Sequence, residues 1–211
     1  MFTGIVQRLC PLVDVRDDAG VRRLDIDLAE LTAGLSTGAS VAINGVCLTA
    51  TAVAGTRASF DVIQETLAHT NLGLVRNGDA VNVERSLKFG DEIGGHVLSG
   101  HVADVVKVAR VETAEGVRNL WFDVAPKWMV YLFHKGFVAL DGASLTIASI
   151  DRDRQRISVS LIPETIRRTT LGTATVGKVV NLEVDPQLQA VVGTVERMLK
   201  DPAWRRQVGI G

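Results

Sequence analysis

The sequence is poor in several things, and each shortage excludes a class of protein. Two cysteines occur in 211 residues, Cys10 and Cys47, which leaves no disulfide framework and no cysteine-rich zinc site. Aromatic residues make up 5% of the chain, and 23 basic side chains nearly cancel 24 acidic ones for a net charge of −1. Tracking phosphates and stacking bases requires a basic face and aromatic platforms, so nucleic acid is not an expected partner. There is no polybasic membrane signal, and no apolar run approaches the ~18 residues of a membrane span. Met1-Phe2-Thr3-Gly4-Ile5-Val6 lacks the basic and apolar regions of a secretory signal. The expectation is a soluble, cytoplasmic protein with no metal centre.

What is present is an ordinary globular balance, 46% hydrophobic and 22% charged, written out twice. Val41-Ala42-Ile43-Asn44-Gly45-Val46-Cys47-Leu48-Thr49 aligns with Val138-Ala139-Leu140-Asp141-Gly142-Ala143-Ser144-Leu145-Thr146, position 41 against 138. Thr3-Gly4-Ile5-Val6 pairs with Ser99-Gly100-His101-Val102, Glu65-Thr66-Leu67 with Glu164-Thr165-Ile166, and Val81-Asn82-Val83-Glu84 with Val180-Asn181-Leu182-Glu183. Ordered matches at a nearly constant offset mark an internal duplication. It divides the chain into residues 1–90, 91–186 and a tail over 187–211. Each half is small enough that burial against a partner surface is expected to help it.

Within the halves the period is two. Leu24, Ile26 and Leu28 alternate with Asp25 and Asp27, and Leu120, Phe122 and Val124 alternate with Trp121 and Asp123, the pattern of strands with one face on a core. Asn44-Gly45 and Asp141-Gly142 suit tight turns of positive φ. Many short strands in about 90 residues predict a small closed barrel in each half. Glu65 to Asn71 and Glu164 to Thr170 read as short helices stopped by Gly73 and Gly172. In the tail, Asp185 caps and Pro186 opens a helix with an apolar stripe of Leu188, Val191, Val192, Val195 and Leu199, ended by Pro202.

Few groups can carry chemistry. Cys47 is either a small buried hydrophobe or a site group; its repeat partner Ser144 favours a shared polar position. His96 and His101 break the symmetry, because the counterpart of His101 is Ile5 and that of His96 falls at the chain start. If their run is one strand, spacing five turns them to opposite faces, against joint metal ligation. His69 and His134 read as structural. Glu65-Thr66 and Glu164-Thr165 read as helix caps or site groups, and Glu84 and Glu183 as solvated strand residues or site groups. No P-loop, dinucleotide fingerprint or hydrolase elbow is present.

These motifs together resemble the trimeric riboflavin synthase family of alpha-subunit type. The similarity is carried by Met1 to Val6, Asn44 to Thr49, Gly94-Gly95-His96-Val97-Leu98-Ser99-Gly100-His101, Lys135-Gly136, Asp141 to Thr146 and Ile162 to Thr165. It runs to about residue 199, whose last stretch is similar to the family's C-terminal helix. One departure is Ala103-Asp104 after Val102, where the family often has Asp-Gly. The resemblance implies two similar six-stranded Greek-key barrels plus a C-terminal helix, assembled as a homotrimer. It implies transfer of a four-carbon unit between two molecules of 6,7-dimethyl-8-ribityllumazine, giving riboflavin and 5-amino-6-ribitylamino-pyrimidinedione without an added cofactor, with lumazine synthase as a candidate partner.

Ligand-lining positions implied by the resemblance are Gly4, Ile5 and Val6 with Cys47, Leu48 and Thr49. They continue through Asp61, Val62, Ile63, Gln64, Glu65 and Thr66, then Gly100, His101 and Val102. Lys135, Ser144, Leu145, Thr146, Ser160, Leu161, Ile162, Pro163, Glu164 and Thr165 complete the set. Ser144, His101, Cys47 and His96 are the catalytic candidates. His101 would carry a proton, since imidazole titrates near neutrality, and Ser144 and Cys47 would stabilise developing charge. Three rival readings stand beside this one. A non-catalytic lumazine- or flavin-binding antenna would lack polar groups in one half, whereas Cys47 with Thr49 and Ser144 with Thr146 keep both. An oligonucleotide-binding barrel fails on charge and aromatics. A flavin-reductase barrel would want an Arg-x-Tyr-Ser-like motif, but the single tyrosine, Tyr131, follows Met129-Val130.

Overall fold

The computed structural model describes residues 1–18, 20–114 and 116–209. The first half folds as strands β1 (Arg8–Asp18), β2 (Val21–Asp27), β3 (Ser40–Ile43), β4 (Val46–Ala54), β5 (Arg57–Ile63) and β6 (Ala80–Arg85). They close into a barrel in the order β1-β2-β5-β4-β3-β6. The second half repeats this with β7 (Asp104–Ala114), β8 (Val117–Asp123), β9 (Phe137–Leu140), β10 (Ala143–Asp151), β11 (Arg156–Leu161) and β12 (Val179–Val184). Neighbouring strands are antiparallel, and the last strand of each half returns between its first and third, a Greek key. Register shifts fall at matching points, Leu12/Asp14 with Val108/Arg110 and Ala50/Ala52 with Ile147/Ser149. Such bulges bend a strand sharply enough for six to close.

The alternating residues fill each barrel. Leu24, Ile26 and Phe60 in the first, and Leu120, Phe122 and Val159 in the second, have no exposed surface. Truncating Phe60 or Phe122 to Ala would cost about 3–5 kcal/mol, through lost transfer energy and an unfilled cavity. Asn44 (φ 47°) and Gly45 (φ 80°), like Asp141 (φ 46°) and Gly142 (φ 77°), form the expected positive-φ turns.

A pseudo-twofold polar cluster joins the barrels at those turns. Asn82 Nδ2 donates to the Asp141 carbonyl at 2.8 Å, and Asn181 Nδ2 donates to the Asn44 carbonyl at 2.9 Å. The Asn71 amide reaches Asn181 Oδ1 at 2.7 Å while the Thr170 amide reaches Asn82 Oδ1 at 2.8 Å. Every one of these groups is buried, so their mutual bonding fixes one orientation of the two barrels.

Two local readings need correction. Helices α1 (Gln64–His69) and α2 (Pro163–Arg168) end at extended Thr70 and Thr169; Gly73 and Gly172 belong to the 3₁₀ turns that follow. Neither helix has a side-chain cap, so Glu65, Thr66, Glu164 and Thr165 do not cap. The tail helix α3 (Pro186–Lys200) is capped by Asp185, whose Oδ1 accepts from the Gln187 amide at 2.8 Å. Pro202 ends that run and also opens a further helix, α4 (Pro202–Gln207), capped by Asp201.

Candidate active site

Each barrel opens at the same place. Strand β4 pairs with β3 through Val46–Thr49 but with β5 only from Ala50 onward, while Asp61–Ile63 of β5 pair with β2 and not with β4. The strands therefore splay, and a cleft opens between Cys47–Thr49 and Asp61–Ile63. In the second barrel β10 joins β11 only from Ile147, leaving a matching cleft between Ser144–Thr146 and Ser160–Leu161. Period-two alternation sends Leu48 and Leu145 inward and leaves Cys47 and Thr49, or Ser144 and Thr146, on the cleft side.

What completes each cleft comes from the other half of the chain. The Ser144 amide donates to the Gly4 carbonyl at 2.8 Å, and Val6 sits in the core of the second barrel. Reciprocally, the Cys47 amide donates to the Gly100 carbonyl at 2.9 Å, and Val102 packs on the core of the first. Phe2 and Leu98 pair with each other where the two segments meet, N–H to carbonyl at 2.9 Å in both directions. Gly4 and Gly100 have φ of 74° and 80°, and a Cβ there would lie 2.5 Å from the Ser144 Cβ or 2.6 Å from the Cys47 Cβ. Only glycine permits that approach.

The run 86–103 is thus not a regular strand; its one β-bridge among the described residues is Leu98 to Phe2. His96 and His101 consequently do not face away from each other across a sheet but serve different clefts. His96 Nδ1 lies 2.6 Å from Ser144 Oγ, and its ring stacks on Phe137 with centroids 5.1 Å apart. Burial holds this imidazole below its usual pKa, which favours the neutral form, able to exchange a proton with the hydroxyl in either direction. Its buried Nε2 has no hydrogen-bond partner among the described residues. His101 follows Gly100 and is exposed beside the Cys47 cleft, its backbone N–H on Ser99 Oγ at 3.1 Å.

The second cleft holds a cavity of about 160 Å³, lined by Gly4, Ile5, Val6, Ser144, Ile162 and Glu164 among others. Larger concavities of about 550, 590 and 620 Å³ lie elsewhere, and Ser144 lines none of them. Glu164 is engaged by Arg167 and Arg168. Thr66 and Thr165 accept at their carbonyls from the Thr70 and Thr169 hydroxyls. Ile63, Gln64 and Pro163 are exposed at the helix starts.

Other expected positions stand further back. Val62 and Leu161 point into the cores with 1% and 0% exposure, so they can offer only backbone. Asp61 is held by a two-point pair with Arg23, at 2.8 and 3.0 Å, which keeps its carboxyl below the usual range; Ser160, its counterpart, donates to Asn119. Lys135 is exposed at a left-handed turn, its N–H on the Ile147 carbonyl at 2.9 Å. Asp104, where the chain departs from the family pattern, accepts from Trp128 Nε1 at 2.8 Å. His69 and His134 are exposed.

Two glutamates take the less expected of their two readings. Glu84 and Glu183 are not solvated; each is 4% exposed. Glu84 accepts from the Thr3 amide (2.6 Å), the Thr3 hydroxyl (2.7 Å) and the Gly4 amide (3.0 Å). Glu183 accepts from the Ser99 amide and hydroxyl (both 2.7 Å) and the Gly100 amide (3.2 Å). Burial pushes both carboxyl pKa values up, and these donors oppose the shift. Their recurrence at matching positions in the repeat was the available signal.

Comparison with known proteins agrees with this duplicated geometry. A lumazine binding domain matches residues 3–86 and again 99–185. Riboflavin synthase of Escherichia coli (strain K12) is 50% identical over 201 residues, covering 94% of this chain and 93% of that protein. Riboflavin synthase of Chlamydia pneumoniae is 44% identical over 200 residues, covering 94% and 97%. Among solved structures, LumP complexed with riboflavin superposes with a TM-score of 0.81 at 24% identity, covering 88% of this chain and 100% of that one. LumP complexed with 6,7-dimethyl-8-(1'-D-ribityl) lumazine gives 0.78 at 22%, covering 88% and 99%; at such identity the likeness is one of fold.

Proposed function

The chain belongs to the riboflavin synthase family, built on paired lumazine-binding domains, and from that premise we propose how its two clefts share the reaction. It acts on two molecules of 6,7-dimethyl-8-ribityllumazine, moving a four-carbon unit from one to the other to give riboflavin and a ribitylamino-pyrimidinedione. The observation that carries this reading is the duplicated cleft with polar groups kept in both halves, Cys47 with Thr49 and Ser144 with Thr146. A binding-only relative needs one such cleft; a reaction between two copies of one compound needs two that differ.

The residues supply orientation and proton movement. Backbone along the splayed strands holds the flat rings, which removes most of the entropic barrier to their meeting. Ser144, bonded to His96, stabilises charge on one bound lumazine and relays a proton. His101 beside Cys47 is the carrier for the acidic ring-methyl proton at the other. The functional units are residues 1–90 and 91–186, with 187–211 as the oligomerisation tail.

The chain works as a homotrimer in which the first barrel of one subunit faces the second barrel of its neighbour. Two features support this. A cavity of about 160 Å³ is smaller than the ~300–1,000 Å³ of an enclosed ligand pocket, so a neighbour is needed to close it. On α3, Val191, Val195 and Leu199 recur every four residues and are 61%, 48% and 44% exposed, an apolar stripe suited to self-association. A cytoplasmic location and association with lumazine synthase belong to the same reading. No helix among the described residues is long and apolar enough to cross a membrane. The deciding experiment is incubation of the purified protein with 6,7-dimethyl-8-ribityllumazine alone. Riboflavin fluorescence should appear; bound lumazine without riboflavin would reduce the protein to a carrier.

A further inference from the structure

We infer that Glu84 and Glu183 are positioning residues wired crosswise: Glu84, on the first barrel, sets the segment that completes the Ser144 cleft of the second, and Glu183, on the second, sets the segment that completes the Cys47 cleft of the first. What the clefts bind rests on the proposed function, but the wiring does not.

The path is one residue long in each direction. Glu84 grips Thr3 and the Gly4 amide, and the carbonyl of the same Gly4 takes the Ser144 amide of the opposite barrel. Glu183 grips Ser99 and the Gly100 amide, and the Gly100 carbonyl takes the Cys47 amide. On β6 and β12 the core residues are Val81 and Val83, or Val180 and Leu182. Alternation puts Asn82 with Glu84, and Asn181 with Glu183, on the other face. That face therefore carries both the clamp between barrels and the grip on the exchanged segment. Three donors converge on each carboxylate, which is how a buried anion is tolerated without a cation. An amide cannot satisfy both sides, because whichever way it turns its NH₂ confronts a backbone N–H. Each carboxylate thus determines where a cleft wall stands in a barrel to which it does not belong, and neither half can build a complete cleft alone.

The test uses Cys47 as its reporter. Cys10 is fully buried and its thiol is pushed up to about 12 by burial, so it stays silent toward iodoacetamide. Glu183→Gln should loosen Ser99–Val102 and speed alkylation of Cys47 about tenfold, while Glu84→Gln leaves that rate within twofold of wild type. Riboflavin should protect Cys47 in Glu84→Gln and fail to protect it in Glu183→Gln, and both variants should lose turnover. Equal unmasking by both variants, or none by Glu183→Gln, overturns the wiring. If circular dichroism shows that Glu183→Gln does not fold, Ser99→Ala removes one donor and should speed alkylation about threefold, with Thr3→Val leaving it unchanged; the reverse result overturns the inference. Wild-type protein that makes no riboflavin would sink the proposed function, while the ligand-free alkylation contrast would still decide the wiring.

Discussion

The two barrels share strand order, bulge positions, turn conformation and the carboxylate grip on a neighbouring segment, yet they differ at polar points, four of which bear on proton movement. Cys47 stands against Ser144, Asn44 against Asp141, Ile5 against His101, and His96 has no counterpart. The shared features all position backbone; these four differences change which protons can move. Duplication supplied two similar clefts for two identical molecules, and divergence at a few side chains gives each molecule a different task. In the Ser144 cleft a half-buried hydroxyl–imidazole pair is already bonded at 2.6 Å. In the Cys47 cleft the histidine is exposed and the small polar group is a thiol.

The strongest way to break the comparison is to stop the unlike clefts from meeting. A chain ending at Asp185 should run as a monomer in light scattering, bind lumazine, and turn over at least about 10⁴-fold more slowly, since proximity in a two-substrate reaction is worth that much or more. A truncated trimer with full activity would refute the role given to α3. Next, Ser144→Ala should lower turnover by about 10³-fold and Cys47→Ala by tenfold or less, because only Ser144 has a bonded imidazole and oxygen bonds more strongly than sulfur. Equal small losses would erase the asymmetry. His101→Gln keeps some hydrogen bonding and removes the titrating group, so turnover should fall by ~10²-fold with lumazine affinity little changed. Methyl-proton exchange in deuterated water at the wild-type rate would assign the base elsewhere.

The smallest effect concerns Asn44 and Asp141. Asp141 is fully buried, and burial pushes its pKa from 3.8 up to about 6. The folded chain therefore holds this proton more tightly than the unfolded chain does between about pH 4 and 6. That contribution to stability is present below pH 4 and is lost as pH rises through 6. Asp141→Asn copies the first barrel and removes this dependence. The melting temperature of the variant should gain on wild type by a few degrees between pH 4 and 7, at about 2–4 °C per kcal/mol for a chain of this size. A constant difference across that range would mean that the carboxyl titrates normally.

Much of the fold was legible because its signals are local. The two-residue period of Leu24-Asp25-Ile26-Asp27-Leu28, the Asn44-Gly45 and Asp141-Gly142 turns and the Asp185-Pro186 helix start each depend on neighbours in the chain. The burial of Glu84 was not legible, because a glutamate in a strand is ordinarily solvated and its partner Thr3 lies 81 positions away. Whether His96 and His101 share a strand stayed open, because glycine-rich apolar sequence is consistent with extended backbone. Their separation was decided by which barrel each end of the run packs against.

The sequence by itself determined that this protein is a duplicated barrel with a helical tail, because periodicity and self-similarity are properties of the chain; the positions that line its clefts were implied by family resemblance. Only the tertiary structure decided that the clefts are completed by exchange, that His96 rather than His101 meets Ser144, and that Glu84 and Glu183 are buried grips. Those facts are hydrogen bonds between residues 48 to 140 positions apart. Such a pairing leaves no period in the sequence: it exists only once two barrels, each closed by its own core, are held face to face by the buried asparagines between them.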